Sequence, residues 1–169
     1  GSLNGIRIDR LKEKLGVRSM ASGECVLDGC EAELVGELSN GFRQMAEMLN
    51  LSRLWNSVCS ASVMRRVVYE ATTYLRRRNT FGKAAIGHGL VRQMLADLNA
   101  EHVGATLLVF QLAQHLDRAD AGGQNDAALV RILTPLTKYT TAKASVWAAS
   151  EGIELLGGNG YIEESPMPR

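Results

Sequence analysis

A run of three arginines followed by an aromatic residue is the first place where this sequence could do chemistry. Arg76, Arg77 and Arg78 precede Phe81 and Gly82 in the stretch LRRRNTFGKAA. A guanidinium can donate two parallel hydrogen bonds to pyrophosphate oxygens, and a phenylalanine ring offers a flat face to adenine. The alternative is structural, because cations in the last turn of a helix favour its dipole and Gly82 can end the helix. The residues alone leave both a dinucleotide clamp and an ordinary helix terminus open.

A second glycine-rich turn, GGNG, lies in the last stretch of the chain, ELLGGNGYIEESPMPR. Gly157 and Gly158 follow an apolar helical pattern, so they can serve as a helix C-cap. Backbone without side chains can also approach a phosphate-bearing ligand closely. The turn follows a helix rather than a strand, so it is not a GxGxxG dinucleotide element.

The other polar residues form no recognisable catalytic or metal-binding group. His88, His102 and His115 lack metal-ligand spacing, and a core histidine is the simpler interpretation of His102 on its apolar stripe. Glu163 and Glu164 could act as a carboxylate pair, but neighbouring acids on a first helical turn more simply favour the helix dipole. We therefore predict no metal site and no catalytic machinery from the residues alone.

Composition and charge narrow the class of protein. The 169 residues are 46% hydrophobic and 22% charged, which is typical of a globular domain. The net charge of +1 indicates no particular charged partner. No apolar run is long enough to span a membrane, so no membrane partner is predicted. Cys25, Cys30 and Cys59 match no zinc or redox spacing, which favours reduced thiols and a cytoplasmic location.

The region before residue 41 has the pattern of short strands and turns. Glu24–Gly29 is a short strand ending in an Asp-Gly turn, and Ala32–Glu37 is a further extended piece. A few strands without a complete sheet cannot bury their faces. We therefore predict that residues 1–40 are the remnant of a larger β domain, with Gly1-Ser2 as a cloning scar.

From residue 41 the apolar spacing becomes helical and predicts three helices of about 30 residues each. They run to about Arg78, from about His88 to Ala119 and from about Ala127 to Leu156; Pro135 would kink or divide the third. Such helices form an antiparallel bundle, for which four helices are usual. The predicted fold class is mainly α: an antiparallel helical bundle in residues 41–169 with its last helix missing, after a few short strands.

The large apolar residues predict the buried face of each helix. In the loop between the second and third helices, Gly122 and Gly123 are predicted to stop one helix and Asp126 to cap the next. The residues predicted to face inward are Phe42, Met45, Met48, Leu49, Leu54, Trp55, Val58, Ser62, Val67, Tyr69 and Tyr74 on the first helix, Leu90, Met94, Leu98, His102, Val103, Thr106, Phe110, Ala113 and Leu116 on the second, and Leu129, Leu133, Leu136, Tyr139, Val146, Ile153 and Leu156 on the third.

Four stretches, in order, resemble a known family. They are GVRSMASGECVLDG, GFRQM with NLSR, RRRNTFGKAAIGHGLVRQMLADL and ELLGGNGYIEESPMPR. The resemblance is to the acyl-CoA dehydrogenase family, at the tail of its middle β domain and in its C-terminal helical domain, and it covers nearly the whole chain. MRR at Met64–Arg66, LTPLTKY at Leu133–Tyr139 and EESPMPR are similar to the branch that holds the bacterial alkylation-response protein (AidB-like).

The resemblance implies an FAD enzyme that converts acyl-CoA thioesters to enoyl-CoA and passes electrons to an electron-transfer flavoprotein. It implies a homodimer or homotetramer in which the helical domain holds the adenosine-pyrophosphate end of the partner's FAD. Arg78 matches the arginine that meets the pyrophosphate, and Phe81 matches the aromatic beside the adenosine. Gly157 and Gly158 match the paired glycines at which the backbone approaches the partner's cofactor.

Two positions depart from the family pattern. Many members have glutamine where this chain has Gly89 and Glu154, and those amides help to hold FAD. A carboxylate near a pyrophosphate would repel it. We therefore expect Glu154 to pair with an arginine, or FAD to be held differently in this branch.

The resemblance also implies where the catalytic base would lie. Most members carry a glutamate in a motif that would fall just past Arg169, and others carry it on the first bundle helix, where this chain has Ser52. A serine hydroxyl is not basic at neutral pH without an activating neighbour. We therefore expect the base beyond Arg169, a chain cut from a longer enzyme and inactive by itself, and Arg53 as a buried structural or site-orienting residue.

Two other functions stay open. The alkylation-response branch is associated with double-stranded DNA, and Arg65, Arg66, Arg76–Arg78 and Lys83 could form a basic stripe that contacts phosphates. The chain could instead be an oligomerisation module, because a three-helix fragment exposes an apolar groove that self-association would cover.

Overall fold

A computed structural model describes residues 4–165, so the proposed scar at Gly1-Ser2 and the last four residues lie outside the described part of the chain. The chain forms two compact units, Gly1–Gln44 and Met45–Arg169. No helix in the described part is long and apolar enough to cross a membrane.

The first unit contains one pair of antiparallel strands, β1 (Ile6–Leu11) and β2 (Gly23–Leu27). Ile6 lies opposite Leu27, and the register shifts between Ile8 and Arg10. Both strands are largely exposed, as two strands by themselves have nothing to pack against. The predicted strand before Gly29 is confirmed, whereas Ala32–Glu37 contains no strand.

Three long helices follow: α1 (Gly41–Arg77), α2 (Gly89–Asp120) and α3 (Gln124–Leu156). A short hairpin of β3 (Asn79–Thr80) and β4 (Lys83–Ala84) links α1 to α2. The predicted helices are therefore confirmed, with ends that differ by a few residues. Pro135 lies inside α3, which continues as one helix.

The turn between α2 and α3 differs from the prediction in its cap. Gly123 is the N-cap of α3, and Asp126 lies in the first turn, where a carboxylate favours the helix dipole. The Oδ1 atom of Asp126 is 2.7 Å from Nδ1 of His115 on α2. This contact ties the start of α3 to the end of α2, so Asp126 stabilises the turn without capping it.

The main core lies where the three helices meet. Its most buried side chains are small or medium in size: Ala61, Met64 and Val67 on α1, Leu98, Ala105 and Val109 on α2, and Ala148 on α3. The buried face of α3 also includes Thr134, Thr137, Thr141 and Gly152. Small side chains at a contact allow helix axes to approach closely.

The predicted inward faces are wrong for much of α1 and α3 and for part of α2. The faces that pack together carry alanine, serine, threonine and glycine, while many large apolar side chains lie on the outside. Val67, Leu98 and Leu156 were predicted correctly. The residues predicted to be inward that are instead exposed include Phe42, Trp55, Tyr69, Leu90, Phe110, Leu129, Leu136, Tyr139 and Val146.

Thr137 supplies a stability test in this core. Its hydroxyl is buried with no hydrogen-bond partner among the described residues, while Thr141, one turn later, donates a 2.7 Å hydrogen bond to the Thr137 carbonyl oxygen. Burying an unpaired hydroxyl costs about 1–3 kcal/mol. We expect Thr137→Val to raise the free energy of unfolding by about 1 kcal/mol, measured by urea denaturation. Thr141→Val, which removes a hydrogen bond, should not stabilise; equal effects of the two changes would contradict the assignment.

Candidate functional site

The hairpin after α1 carries two of the predicted site residues. Arg78 directly follows the last helical residue, Arg77, and its backbone N–H donates to the Tyr74 carbonyl oxygen at 2.9 Å. Phe81 and Gly82 form the two-residue loop, with φ of +50° and +82°. Positive φ at both central residues is the pattern of a type I′ hairpin turn. Gly82 therefore turns the hairpin, and the prediction that it ends the helix is wrong.

Phe81 is held in an unusual conformation and is almost completely open to solvent. Its side chain is 97% exposed, and positive φ is strained for a bulky residue. Such strain, of order 1–3 kcal/mol, persists where the surrounding structure imposes it. An exposed ring in a strained turn contributes nothing to the core of its own bundle. The ring is therefore a candidate for contact with a ligand or with another subunit.

His88 supports the hairpin from its base. Its Nε2 atom is 3.1 Å from both the hydroxyl and the carbonyl oxygen of Thr80. A carbonyl oxygen can only accept, so Nε2 carries the proton in that hydrogen bond. The His88 ring also meets the Phe81 ring edge-on, with centroids 6.0 Å apart. His88 thus positions Phe81.

The GGNG turn ends α3 and leaves part of its backbone uncovered. Gly157 is the C-cap, with φ +57° and ψ −139°, and a short 3₁₀ helix runs from Gly157 to Gly160. A Cβ atom added at Gly157 or Gly158 would meet no other atom within 4 Å. The predicted cap role is confirmed. The open backbone also meets the steric requirement for close approach by a ligand.

The hairpin and the GGNG turn lie at the same end of the bundle. Ala71 and Leu75 on α1, Ala85 after the hairpin and Leu156 on α3 form one buried cluster. In addition, Nδ2 of Asn159 donates a 2.9 Å hydrogen bond to the hydroxyl of Tyr74. The structure therefore brings the Arg78–Phe81 hairpin and the Gly157-Gly158 backbone to one end of the molecule, although they are far apart in sequence.

A pocket at this end, lined by both polar and apolar residues, was not predicted from the sequence. It has a volume of about 380 Å³ and lies between the last turns of α1 and the segment that follows the GGNG turn. Its lining residues include Glu70, Thr73, Tyr74, Arg77 and Glu164. The α1 members recur at intervals of three and four residues, which places them on one helix face. This spacing is the one sequence signal for the α1 wall of the pocket. The segment after the GGNG turn, which forms the other wall, could be identified only from the fold.

Glu154 has a partner other than the expected arginine. The Tyr161 hydroxyl donates a 2.7 Å hydrogen bond to its Oε1 atom. This hydrogen bond and the negative charge of Glu154 raise the pKa of Tyr161. The carboxylate is thereby held beside Tyr161, after the GGNG turn. Gly89, the other departure from the family pattern, is the first residue of α2.

The residues considered for catalysis do not form a reactive group. Ser52 is exposed on α1, where its backbone carbonyl accepts a hydrogen bond from Asn56. Arg53 is exposed and donates to Oδ1 of Asn50 at 3.0 Å, so the expectation that it is buried is wrong. Within residues 4–165, no three His, Cys, Asp or Glu side chains are placed to hold a metal ion. All three cysteines are free thiols.

The basic residues considered for DNA contacts have different surroundings. Arg66 pairs with Glu70 at 2.6 Å, and Nζ of Lys83 donates to the Gly87 carbonyl oxygen. Arg77 lines the pocket at the end of α1, as Glu70 and Glu164 do, whereas Arg65 lines a separate groove. These contacts give no specific support for a phosphate-binding stripe along α1.

Comparison with known proteins assigns the bundle to a family. Residues 39–169 match the family described as acyl-CoA dehydrogenase, C-terminal domain. The chain is 38% identical to acyl-CoA dehydrogenase family member 11 of Caenorhabditis elegans over 99% of its length, and 36% identical to putative acyl-CoA dehydrogenase AidB of Escherichia coli over 100%.

Solved structures agree with this assignment. The crystal structure of Caenorhabditis elegans ACDH-11 in complex with C11-CoA superposes with a TM-score of 0.91, at 37% identity over 99% of this chain and 29% of that one. The chain spans 28% and 31% of the lengths of the worm and bacterial relatives. It is thus similar to under a third of each protein.

Proposed function

Because the chain belongs to the acyl-CoA dehydrogenase family of FAD flavoproteins, we propose that it is the C-terminal helical domain of an FAD-dependent acyl-CoA dehydrogenase. In this proposal residues 1–40 are the tail of the middle β domain and residues 41–169 are the bundle. The whole enzyme would convert an acyl-CoA thioester to enoyl-CoA and pass the electrons to an electron-transfer flavoprotein. FAD, when bound, would supply the hydride acceptor.

The role we assign to this domain is to hold the adenosine-pyrophosphate end of a partner subunit's FAD. The observation that carries this assignment is the 97% exposure of Phe81 in a strained turn, in the hairpin that follows the exposed Arg78. The ring touches His88 only edge-on and is otherwise open to solvent in the described part of the chain, so its face is available to an adenine from another subunit. Arg78, three residues earlier in the sequence, can donate paired hydrogen bonds to the pyrophosphate.

The backbone at Gly157 and Gly158 fits the same role. Both positions have open space where a side chain would be, at the same end of the bundle as the hairpin. Only glycine allows a ligand to approach the main chain this closely. The exposed ring, the arginine and the open glycine backbone together suit the adenosine-pyrophosphate end of FAD, which has a flat base and a charged diphosphate.

The outer face of α3 supports a subunit interface. Its buried face carries Thr134, Thr141 and Ala148, whereas Ile132 and Tyr139 on the opposite side are 67% and 62% exposed. A helix that is apolar on both sides is normally covered on both sides. A second copy of the domain in a homodimer or homotetramer would cover it.

The proposal places the general base outside this chain. The described residues contain no activated nucleophile or base, and Ser52 lies exposed without a neighbour that could deprotonate it. What these residues can do is bind and orient: Arg78 and Phe81 hold one end of the cofactor, and the glycine backbone lets it approach. We therefore expect the chain by itself to be inactive toward acyl-CoA.

An FAD titration tests the clamp. We expect saturable binding by the purified chain, with its oligomeric state measured alongside, and a loss of affinity of tenfold to a hundredfold in Arg78→Ala, because charged hydrogen bonds contribute about 1.5–3 kcal/mol. Arg118→Ala is the matched control, since Arg118 lies in the last turn of α2. Equal affinity of Arg78→Ala and the unchanged chain would contradict the assignment.

Gly158→Ala separates binding from folding in the same titration. The added Cβ meets no other atom of the chain within 4 Å, so the thermal midpoint should stay unchanged. A methyl group facing the cofactor would nevertheless lower FAD affinity. Unchanged affinity in this variant would mean that the cofactor does not approach the GGNG backbone.

A further inference from the structure

We propose that Tyr74 is a positioning residue of the candidate FAD site, because it contacts both halves of that site. Its backbone carbonyl oxygen accepts a 2.9 Å hydrogen bond from the N–H of Arg78, and its hydroxyl accepts one of 2.9 Å from Nδ2 of Asn159 in the GGNG turn. Tyr74 and Asn159 are 85 residues apart in the sequence. The inference rests on the proposed function for the identity of the cofactor, whereas the connection between the two halves does not depend on it.

The hairpin half of the site is fixed through its backbone. Tyr74 lies in the last turn of α1, and its hydrogen bond with the N–H of Arg78 extends the helical pattern by one residue. From the other side, the N–H of Ala85 donates to the Arg78 carbonyl oxygen at 2.7 Å. Both backbone polar groups of Arg78 are therefore paired, so its side chain extends from a main chain of defined position.

The glycine half depends on the Tyr74 side chain. Gly157 and Gly158 lie between two residues that contact other parts of this end of the bundle. Leu156 is 7% exposed in the buried cluster, and Asn159 bonds to the Tyr74 hydroxyl. Loss of the Tyr74 hydroxyl would leave the turn attached on the Leu156 side but free on the Asn159 side.

The Tyr74 ring is held in place by packing. It is partly buried and packs against the cluster that contains Leu75, Ala85 and Leu156. A side chain whose rotamer is already fixed loses little conformational entropy when its hydroxyl forms a hydrogen bond. Tyr74 therefore keeps the GGNG backbone and the Arg78 hairpin at one separation, so FAD does not have to organise them when it binds.

Hydrogen exchange measured by NMR tests this connection without any cofactor. Tyr74→Phe removes the hydroxyl but keeps the ring. The N–H of Tyr161 donates to the Gly158 carbonyl oxygen inside the turn, and it should exchange about fivefold faster in this variant, because one hydrogen bond that holds the turn is lost. The N–H of Gly122, which donates to the Ala119 carbonyl oxygen in the turn between α2 and α3, is the internal control and should exchange at an unchanged rate.

An FAD titration of the same chain then tests the role in the site. Tyr74→Phe and Asn159→Leu should each bind FAD about three- to tenfold more weakly. The double variant should be no weaker than either, because both changes remove the same hydrogen bond. Asn159→Gln keeps an amide at this exposed position and should retain most of the affinity. Tyr69→Phe is the matched control, since Tyr69 lies exposed on the same helix.

Each part of the proposal has a result that contradicts it. Unchanged exchange of the Tyr161 amide in Tyr74→Phe would overturn the positioning role, whether or not FAD binds. Faster exchange with undiminished FAD affinity, or equal losses in Asn159→Gln and Asn159→Leu, would show that this hydrogen bond does not organise the cofactor site. If the unchanged chain bound no FAD, the proposed function would be wrong, and the exchange rates would still decide whether Tyr74 positions the turn.

Discussion

Replacing Met64 by alanine is expected to lower the free energy of unfolding of the helical bundle by about 2–5 kcal/mol. Met64 is completely buried in the core shared by the three helices, beside Leu98 of α2 and Ala148 of α3. The substitution removes the transfer free energy of the thioether side chain and leaves a cavity. The helices cannot close this cavity without losing contacts elsewhere. Urea denaturation followed by circular dichroism would measure the change.

Met48→Ala is the matched control for this prediction. Met48 lies on the same helix but is 55% exposed, so its replacement should change stability by about 0.5 kcal/mol or less. If the two variants unfolded at the same urea concentration, the core described around Met64 would be wrong.

Gly160→Ala is expected to destabilise the bundle by about 3 kcal/mol, near the upper end of the usual range for overpacking. Gly160 is buried, and an added Cβ would lie 2.9 Å from the carbonyl carbon of Ile153 and closer still to its carbonyl oxygen. These atoms belong to the backbone of α3, so they cannot rotate away as a side chain would. Either the GGNG turn or the last turn of α3 must move, and thermal unfolding should show the loss.

The contrast with Gly158→Ala makes this prediction specific. The same methyl group two residues earlier meets open space, so it should leave the midpoint of unfolding unchanged. Because a displaced turn would also move the Gly157-Gly158 backbone, Gly160→Ala should weaken FAD binding as well. A Gly160→Ala chain as stable as the Gly158→Ala chain would show that the GGNG turn is not packed against α3 as described.

Much of the fold could be predicted because its signals are local. The change of apolar spacing after residue 40 located the bundle, and Gly157 marked the end of α3, since a helix C-cap with positive φ favours glycine. The hairpin that carries Phe81 was missed because its strands have two residues each, too few to show a period. Its Phe-Gly turn also lacks the Asn-Gly or Asp-Gly pair that usually marks such a loop.

The candidate site was predicted only in part, because only some of its features have local signals in the sequence. Arg78, Phe81, Gly157 and Gly158 stand out by residue type and by resemblance to the family, although their roles remain predictions. The pocket between Arg77 and Glu164 joins segments almost ninety residues apart. No local pattern relates such segments, so only the packing of α1 against the end of α3 brings them together.

The sequence by itself determined the three long helices of residues 41–156, their approximate ends and the family to which the chain belongs. Those properties depend on spacing, caps and motifs along the chain. Only the tertiary structure decided which face of each helix is buried. The helices are apolar on more than one side, so periodicity alone cannot choose between a face of large residues and a face of small ones. Close packing selected faces such as Ala61 and Ala148, because small side chains let the helices approach, and left Tyr139 and Phe110 outside.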